Sequence, residues 1–262
     1  MKMYFSGVDK DTITLLRQAG VTRLVVNPND VALTAGFNFA LDSAAYPAFK
    51  ANRRVVVEDH LATVARIRLT YTPDFAAMPD VINDGGETHE RWQQLRRHHL
   101  DLMPVWHWGS PEEWLHEYLA DADLVGIGGL VPRIRNRWDE KLDKPSRAAW
   151  DRERLKVLDQ LAALCQQNPG RFHLFGLCWP KACEVLRDSA ASADTSLWLA
   201  GRRYHFALIE HSRTHHLQAA PAKMIETFRS LDGDALCVEN AKVLAAYCEA
   251  TVETRQGDSD AA

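Results

Sequence analysis

The sequence predicts a single α/β domain, a (β/α)8 TIM-type barrel followed by C-terminal helices. Three observations carry that expectation. Short apolar runs alternate with segments of 3.6-residue periodicity along almost the whole chain. Eight such runs can be marked, and eight parallel strands close a barrel. The length of 262 residues suits one barrel of roughly 250 residues.

Taken in order, the first strand is Met3–Val8, and the helix Asp11–Ala19 after it stops at Gly20, a favoured C′ residue. Arg23–Pro28 and Phe37–Ser43 are the second and third strands, and residues 29–36 between them are too few for a full crossover helix. The helix Glu58–Thr70 leads to the strand Phe75–Asp84, and Thr88–Leu100 leads to Met103–Trp108. Ser110 and Pro111 provide an N-cap and first helical residue for Pro111–Ala120. Leu124–Leu130 is the sixth strand, and the long helix Ser146–Gln167 ends before Pro169-Gly170. Phe172–Cys178, the helix Pro180–Asp188 and Ala193–Leu199 complete the alternation. Two helices, Pro221–Ser230 and Ala235–Thr251, close a domain of residues 1–254, and the polar stretch 255–262 reads as a disordered tail. A doubly wound open sheet is the structural rival. No cluster of hairpin turns suggests an antiparallel sheet.

Composition narrows the function classes. The chain is 46% hydrophobic and 25% charged, ordinary for a globular protein. Its five cysteines form no CxxC pair and read as reduced thiols, which together with the lack of a signal-like N-terminus points to the cytoplasm. No apolar run reaches a membrane-spanning length. The net charge of −4 gives no global footprint for nucleic acid, so a polynucleotide partner requires a local basic patch.

In a barrel the catalytic groups sit where strands end. Those positions hold Asp42-Ser43, Asp84, His107, Gly128-Gly129, Cys178 and Asp194. One carboxylate can act as nucleophile and a second as general acid and base, the division of labour in retaining glycosyl transfer. Plainer readings stand beside this. Asp42 could cap a helix, Asp84 before Gly85-Gly86 could serve a turn, and Asp194 could do either. Gly128-Gly129 could be no more than a tight strand exit.

Four segments together resemble the tRNA-guanine transglycosylases, and more closely their compact relatives that insert 7-deazaguanine bases into DNA. Leu41-Asp42-Ser43-Ala44-Ala45-Tyr46 is similar to the family's LDSGG(Y/F) segment. Ile82-Asn83-Asp84 followed by Gly85-Gly86 is similar to the segment whose Asp reads the guanine edge. Gly126-Ile127-Gly128-Gly129-Leu130 is similar to the family's GGL turn. Gly176-Leu177-Cys178-Trp179-Pro180-Lys181, then Ala193-Asp194-Thr195-Ser196 and Arg202, is similar to the nucleophile segment. The likeness covers residues 1 to about 205 in the family's order.

The resemblance implies a base exchange. Asp194 would attack the sugar C1′ and Asp42 would carry the proton. Asp84 would accept hydrogen bonds from guanine, Tyr46 would stack on the base, and Gly128, Gly129 and Leu130 would hold the base carbonyl. From its place just past Asp194, the pair Arg202-Arg203 is a candidate to meet a phosphate, and His107 would line the pocket without an assigned role. No cofactor is implied. The substrate base must leave the stack to be reached.

The chain departs from the family in having Ala44-Ala45 for the glycine pair and Pro47 after the aromatic residue. It also lacks the C-terminal CxCxxC…His zinc motif of the tRNA enzymes, so no metal is expected and DNA is favoured over tRNA. A second basic feature follows the Gly-Gly turn, where Arg133, Arg135, Arg137, Lys141, Lys144 and Arg147 outnumber Asp139, Glu140 and Asp143. It could hold phosphates or be a solvated loop, and a helper protein could deliver the strand. Two rival classes remain. A metal-dependent barrel hydrolase lacks an HxH at the end of its first strand, and a non-catalytic purine- or nucleic-acid-binding barrel has no use for grouped carboxylates.

Overall fold

Seven of the apolar runs form one curled, all-parallel sheet in a computed structural model, which describes residues 1–98, 101–134, 144–211 and 214–249. The elements in chain order are β1 (Lys2–Phe5), α1 (Ile13–Gln18), β2 (Arg23–Val26), β3 (Asn38–Leu41), α2 (Ala45–Lys50), α3 (Val57–Arg68) and α4 (Gly85–Leu95). They continue with β4 (Val105–His107), α5 (Glu112–Asp121), β5 (Val125–Gly128), α6 (Val131–Ile134), α7 (Lys144–Gln167), β6 (Phe172–Leu174) and α8 (Pro180–Leu186). The last are β7 (Ser192–Thr195), α9 (Ala200–Tyr204), β8 (Phe206–Glu210), β9 (Leu217–Pro221) and α10 (Gly233–Glu249).

The strand order is β3-β2-β1-β7-β6-β5-β4. Parallel pairing needs a crossover between neighbours, and helices supply it on one face of the sheet. Side chains alternate accordingly. Met3, Phe5, Leu24, Val26, Phe39 and Leu41 join the main core with the helices, whereas Tyr4, Val25 and Ala40 point the other way into a separate cluster against Phe75. On that inner face Tyr4, Phe75, His173 and Phe175 interlock edge to face, with centroids 4.6–6.0 Å apart. Gly126 is the complement of that filling, since a Cβ there would lie 2.5 Å from the Phe175 ring.

The expected strand Phe75–Asp84 is reduced to two single bridges, Leu41↔Ala76 and Ala77↔Met103. Pro79 has no N–H to donate, and Asn83 sits in the left-handed region at φ +65°, so the extended run ends before residue 80. The short link between β2 and β3 is a 3-10 helix, Pro28–Thr34, in place of an α-helical crossover. α2 was not foreseen, and Pro111 occupies the N-cap position of α5 rather than its first turn.

The expected helix Pro221–Ser230 is corrected. Leu217–Pro221 pairs antiparallel with β8 as a two-stranded sheet, leaving only a 3-10 turn at Ala222–Met224. α10 matches the expected final helix and carries the buried Asn240. Its Oδ1 accepts from Leu208 N–H at 2.7 Å, and its Nδ2 donates to the carbonyls of Trp198 and Phe206. One polar side chain thus ties β8 and the end of the parallel sheet to the last helix. The expected tail at 255–262, and Arg135, Arg137 and Lys141 of the basic segment, lie outside the described residues. Among the described residues no helix is long and apolar enough to cross a membrane, and none of the five cysteines is in a disulfide.

α9 and α10 approach most closely at Gly201, where a Cβ would stand 2.8 Å from the Cys237 nitrogen and 2.9 Å from the Gly233 oxygen. Backbone cannot swing aside as a side chain can. Gly201→Ala is therefore expected to lower the unfolding free energy by about 1–3 kcal/mol, the usual cost of overpacking, read as a lower urea midpoint with an unchanged slope.

Candidate active site at the C-terminal end of the sheet

Parallel strands deliver their last residues to one rim, and this rim gathers Asp42, His107, Gly128 and Asp194. Asp42 follows β3 directly, and its N–H still bonds to Val26 carbonyl at 2.9 Å. The next residue makes the connection to the rest of the site. Ser43, buried, gives its N–H to Asp42 Oδ1 at 2.7 Å and its hydroxyl to Asp80 Oδ1 at 2.6 Å. The other Asp80 oxygen lies 2.9 Å from His107 Nε2, which faces the carboxylate as donor. Asp80 and His107 are both buried.

Asp194 belongs to β7 and lies beside Tyr4 of β1 in the parallel register. Its Oδ1 accepts the Gly176 N–H at 2.8 Å. Gly176 has φ +66° and no room for a Cβ, which would meet Val131 at 2.5 Å, so glycine is what allows that amide to turn inward. No hydrogen bond to Asp194 Oδ2 occurs among the described residues, and the oxygen is left available. Behind Asp194 the fully buried His173 bonds through Nδ1 to Ser192 Oγ at 2.8 Å. Its Nε2 is 3.6 Å from Asp194 Oδ1 and has no hydrogen-bond partner.

The grouping of carboxylates acts on Asp42. Burial, then the charges of Asp194 and Asp80, push the Asp42 carboxyl up to about 7, against the smaller opposing effect of the Ser43 hydrogen bonds. A carboxyl with that value is part acid and part base at neutral pH, as a proton shuttle requires.

The other predicted residues have varied surroundings. Gly128 fits under the His107 ring, 3.0 Å from where a Cβ would be, and Gly129 has φ +72°, with buried Leu130 following. Tyr46 is 58% exposed on α2, with the Lys50 ammonium 5.7 Å from its ring centroid. Asp84 is not grouped with Asp42 and Asp194. It caps α4, accepting from Glu87 N–H at 2.9 Å, a helix-capping role rather than the turn its Gly-Gly context suggested. Arg202 makes a two-pronged ion pair with Asp234, which holds its guanidinium charged and α9 against α10.

Asp80 and His173 were missed as site residues. Pro79 offered a signal for Asp80, since a strand ending at proline makes Asp80 the strand-end carboxylate. His173 is a lone polar residue within the apolar run Phe172–Leu174, a pattern that by itself reads as core. A cleft of about 590 Å³ adjoins the site, reaching Asp80 and Ala45 but not Asp42 or Asp194. Among the described residues no three His, Cys, Asp or Glu side chains converge to hold a metal ion. No family model matches the chain, and no curated protein sequence matches it.

The Asp42 environment has a consequence for stability. An unfolded Asp ionises near 3.9, so between about pH 4 and 7 the folded chain holds a proton that the unfolded chain has released. This group's contribution to stability therefore falls as pH rises through that window and is level above it. Asp42→Asn is expected to be more stable than wild type at pH 8 by at least about 1 kcal/mol, near the value of one pKa unit. The difference should vanish towards pH 4, as read from urea midpoints of both proteins across the range.

Proposed function

We propose that the chain is a base-exchange transglycosylase that replaces guanine in DNA with a 7-deazaguanine of the preQ0 type. The observation that carries this reading is the pairing of Asp42 and Asp194 at one rim, with Asp42 raised to about 7 and Asp194 Oδ2 free. We further propose a closed (β/α)8 barrel with residues 75–78 as its eighth stave. Read as a ring, the strand order is sequential, single bridges join its edges to this segment, and aromatic rings fill the inner face.

In the proposed reaction Asp194 Oδ2 attacks the sugar C1′ as the C1′–N9 bond breaks, forming a glycosyl ester. The departing guanine takes its proton from Asp42. The incoming base gives its N9 proton back to Asp42, and N9 displaces Asp194 from C1′. Each carboxylate ends as it began, and no redox partner is required. The guanine-edge role implied for Asp84 passes to Asp80, whose carboxylate retains lone pairs beyond those engaged by Ser43 and His107. Tyr46 stands at the rim where an extruded base would enter. The rival hydrolase and binding-module readings give the free Asp194 oxygen and the raised Asp42 no comparable use.

Mass spectrometry of nucleosides, after incubation with preQ0 and either DNA or bulk tRNA, tests the reading. The expected result is a deazaguanine nucleoside in DNA, abolished in Asp194→Ala and reduced at least about 100-fold in Asp42→Asn. Product in tRNA alone would move the same chemistry to RNA. Product in neither substrate would overturn it.

A further inference from the structure

The cleft beside the site touches the proposed exchange only at Asp80 and extends away from it along Ala45, Phe49 and Arg53. We propose that it seats the nucleotide flanking the exchanged base, with Phe49 stacking on that base and Arg53 holding its phosphate. The inference rests on the reading of the substrate as a polynucleotide.

Size, apolar surface and charge agree on this occupant. About 590 Å³ lies within the range of roughly 300–1,000 Å³ typical of small-ligand sites, room for one nucleotide unit. Phe49 lines the cleft and is 50% exposed, and Tyr46, three residues earlier on α2, is equally open. That spacing sets two aromatic rings on neighbouring positions of one helix face. Bare aromatic rings cost solvation unless something stacks on them. Successive bases of a single strand do so, each stack strengthening binding by roughly 5- to 150-fold.

The cations are placed to match. Arg54 and Arg91 share the one carboxylate of Glu87, and Arg91 also donates to the carbonyls of Val55 and Pro79, so it braces the cleft wall. The Arg53 guanidinium makes no ion pair or hydrogen bond among the described residues, its backbone N–H being bonded to the Ala48 carbonyl, and it lines the same cleft. Lys50 is alongside, over Tyr46. The opposing carboxylates are turned to other donors, Asp84 to the α4 N-terminus and Asp80 to Ser43 and His107, with its remaining lone pairs left for the exchanged base. In a chain of net charge −4, a free arginine beside two open aromatic rings is a local match to a phosphodiester strand. Arg202, committed to Asp234, is less free for that task.

The test uses the full chain and a fluorescein-labelled single-stranded 12-mer DNA, with binding read by anisotropy between 50 and 200 mM salt. Phe49→Ala is expected to weaken binding at least about 5-fold at every salt concentration. Arg53→Ala should weaken it and reduce the log–log salt slope by about 0.7, the value for one phosphate contact on a single strand. Arg229→Ala, a charge-matched change outside the cleft, should bind as wild type. Wild-type affinity and slope in both cleft variants would overturn the inference, as would absence of binding by wild type at 50 mM salt. The nucleoside assay keeps the two proposals apart. Exchange with unaffected binding in the cleft variants removes the subsite and leaves the reaction. Binding that depends on Phe49 and Arg53 without exchange retains the subsite and removes the reaction.

Discussion

Asp42, Asp80 and Asp194 repel one another, and much of the rim is arranged to keep them together. A cluster of buried carboxylates survives only if donors compensate the lost water or if one of the group keeps its proton. Both remedies are present. Asp80 receives the Ser43 hydroxyl and the His107 ring, Asp194 receives the Gly176 amide, and Asp42 retains a proton towards neutrality. The donors come from β3, β4 and the turn after β6, so the cluster holds only while those strands keep their register.

The parallel sheet is what makes such an arrangement available. Each strand ends at the same rim with its backbone fixed by parallel pairing to its neighbours in the sheet, so short side chains suffice to bring together groups distant in sequence. Ser43 and Asp80 are 37 residues apart, and His107 and Asp80 are 27 apart. The inner face is filled by Tyr4, Phe75, His173 and Phe175, and Asp194 adjoins this filling at His173 and Tyr4. Tyr4 in turn donates to Asp74 at 2.7 Å, and burial with that neighbour raises its phenol pKa well above the ordinary value. Packing and electrostatics therefore meet at Tyr4, whose ring fills the sheet's inner face and whose hydroxyl is bonded to Asp74.

Much of this was legible in the sequence because periodicity reports burial, and burial shapes strands and long helices. β1 to β7 and α10 lie where the apolar patterns placed them, and Asp42, His107, Gly128 and Asp194 lie at or near strand ends as expected. What escaped notice depends on contacts between distant residues. β8 and β9 form because Phe206–Glu210 and Leu217–Pro221 find each other and Asn240, a pairing no local pattern announces. Asp80 and Asp84 are both acidic residues after one apolar run. Only the early end of that run, set by Pro79 and the turn at Asn83, sends the first into the pocket and the second onto a helix cap.

Ala44 joins these threads. It holds φ +60°, a left-handed conformation that costs an alanine roughly 1 kcal/mol more than a glycine. Such strain persists where neighbours over-determine it. Here the neighbours are the Ser43 bonds to Asp42, Asp80 and the Ala45 amide on one side, and the start of α2 on the other. Relaxing Ala44 to an extended conformation would redirect α2. Tyr46 and Phe49 would then leave the edge of the pocket, while Asp42 stayed with its strand. The strained residue thus couples Asp42 to the exposed aromatic face. A glycine would hold this conformation without the strain, and the alanine holds it at a modest energetic cost.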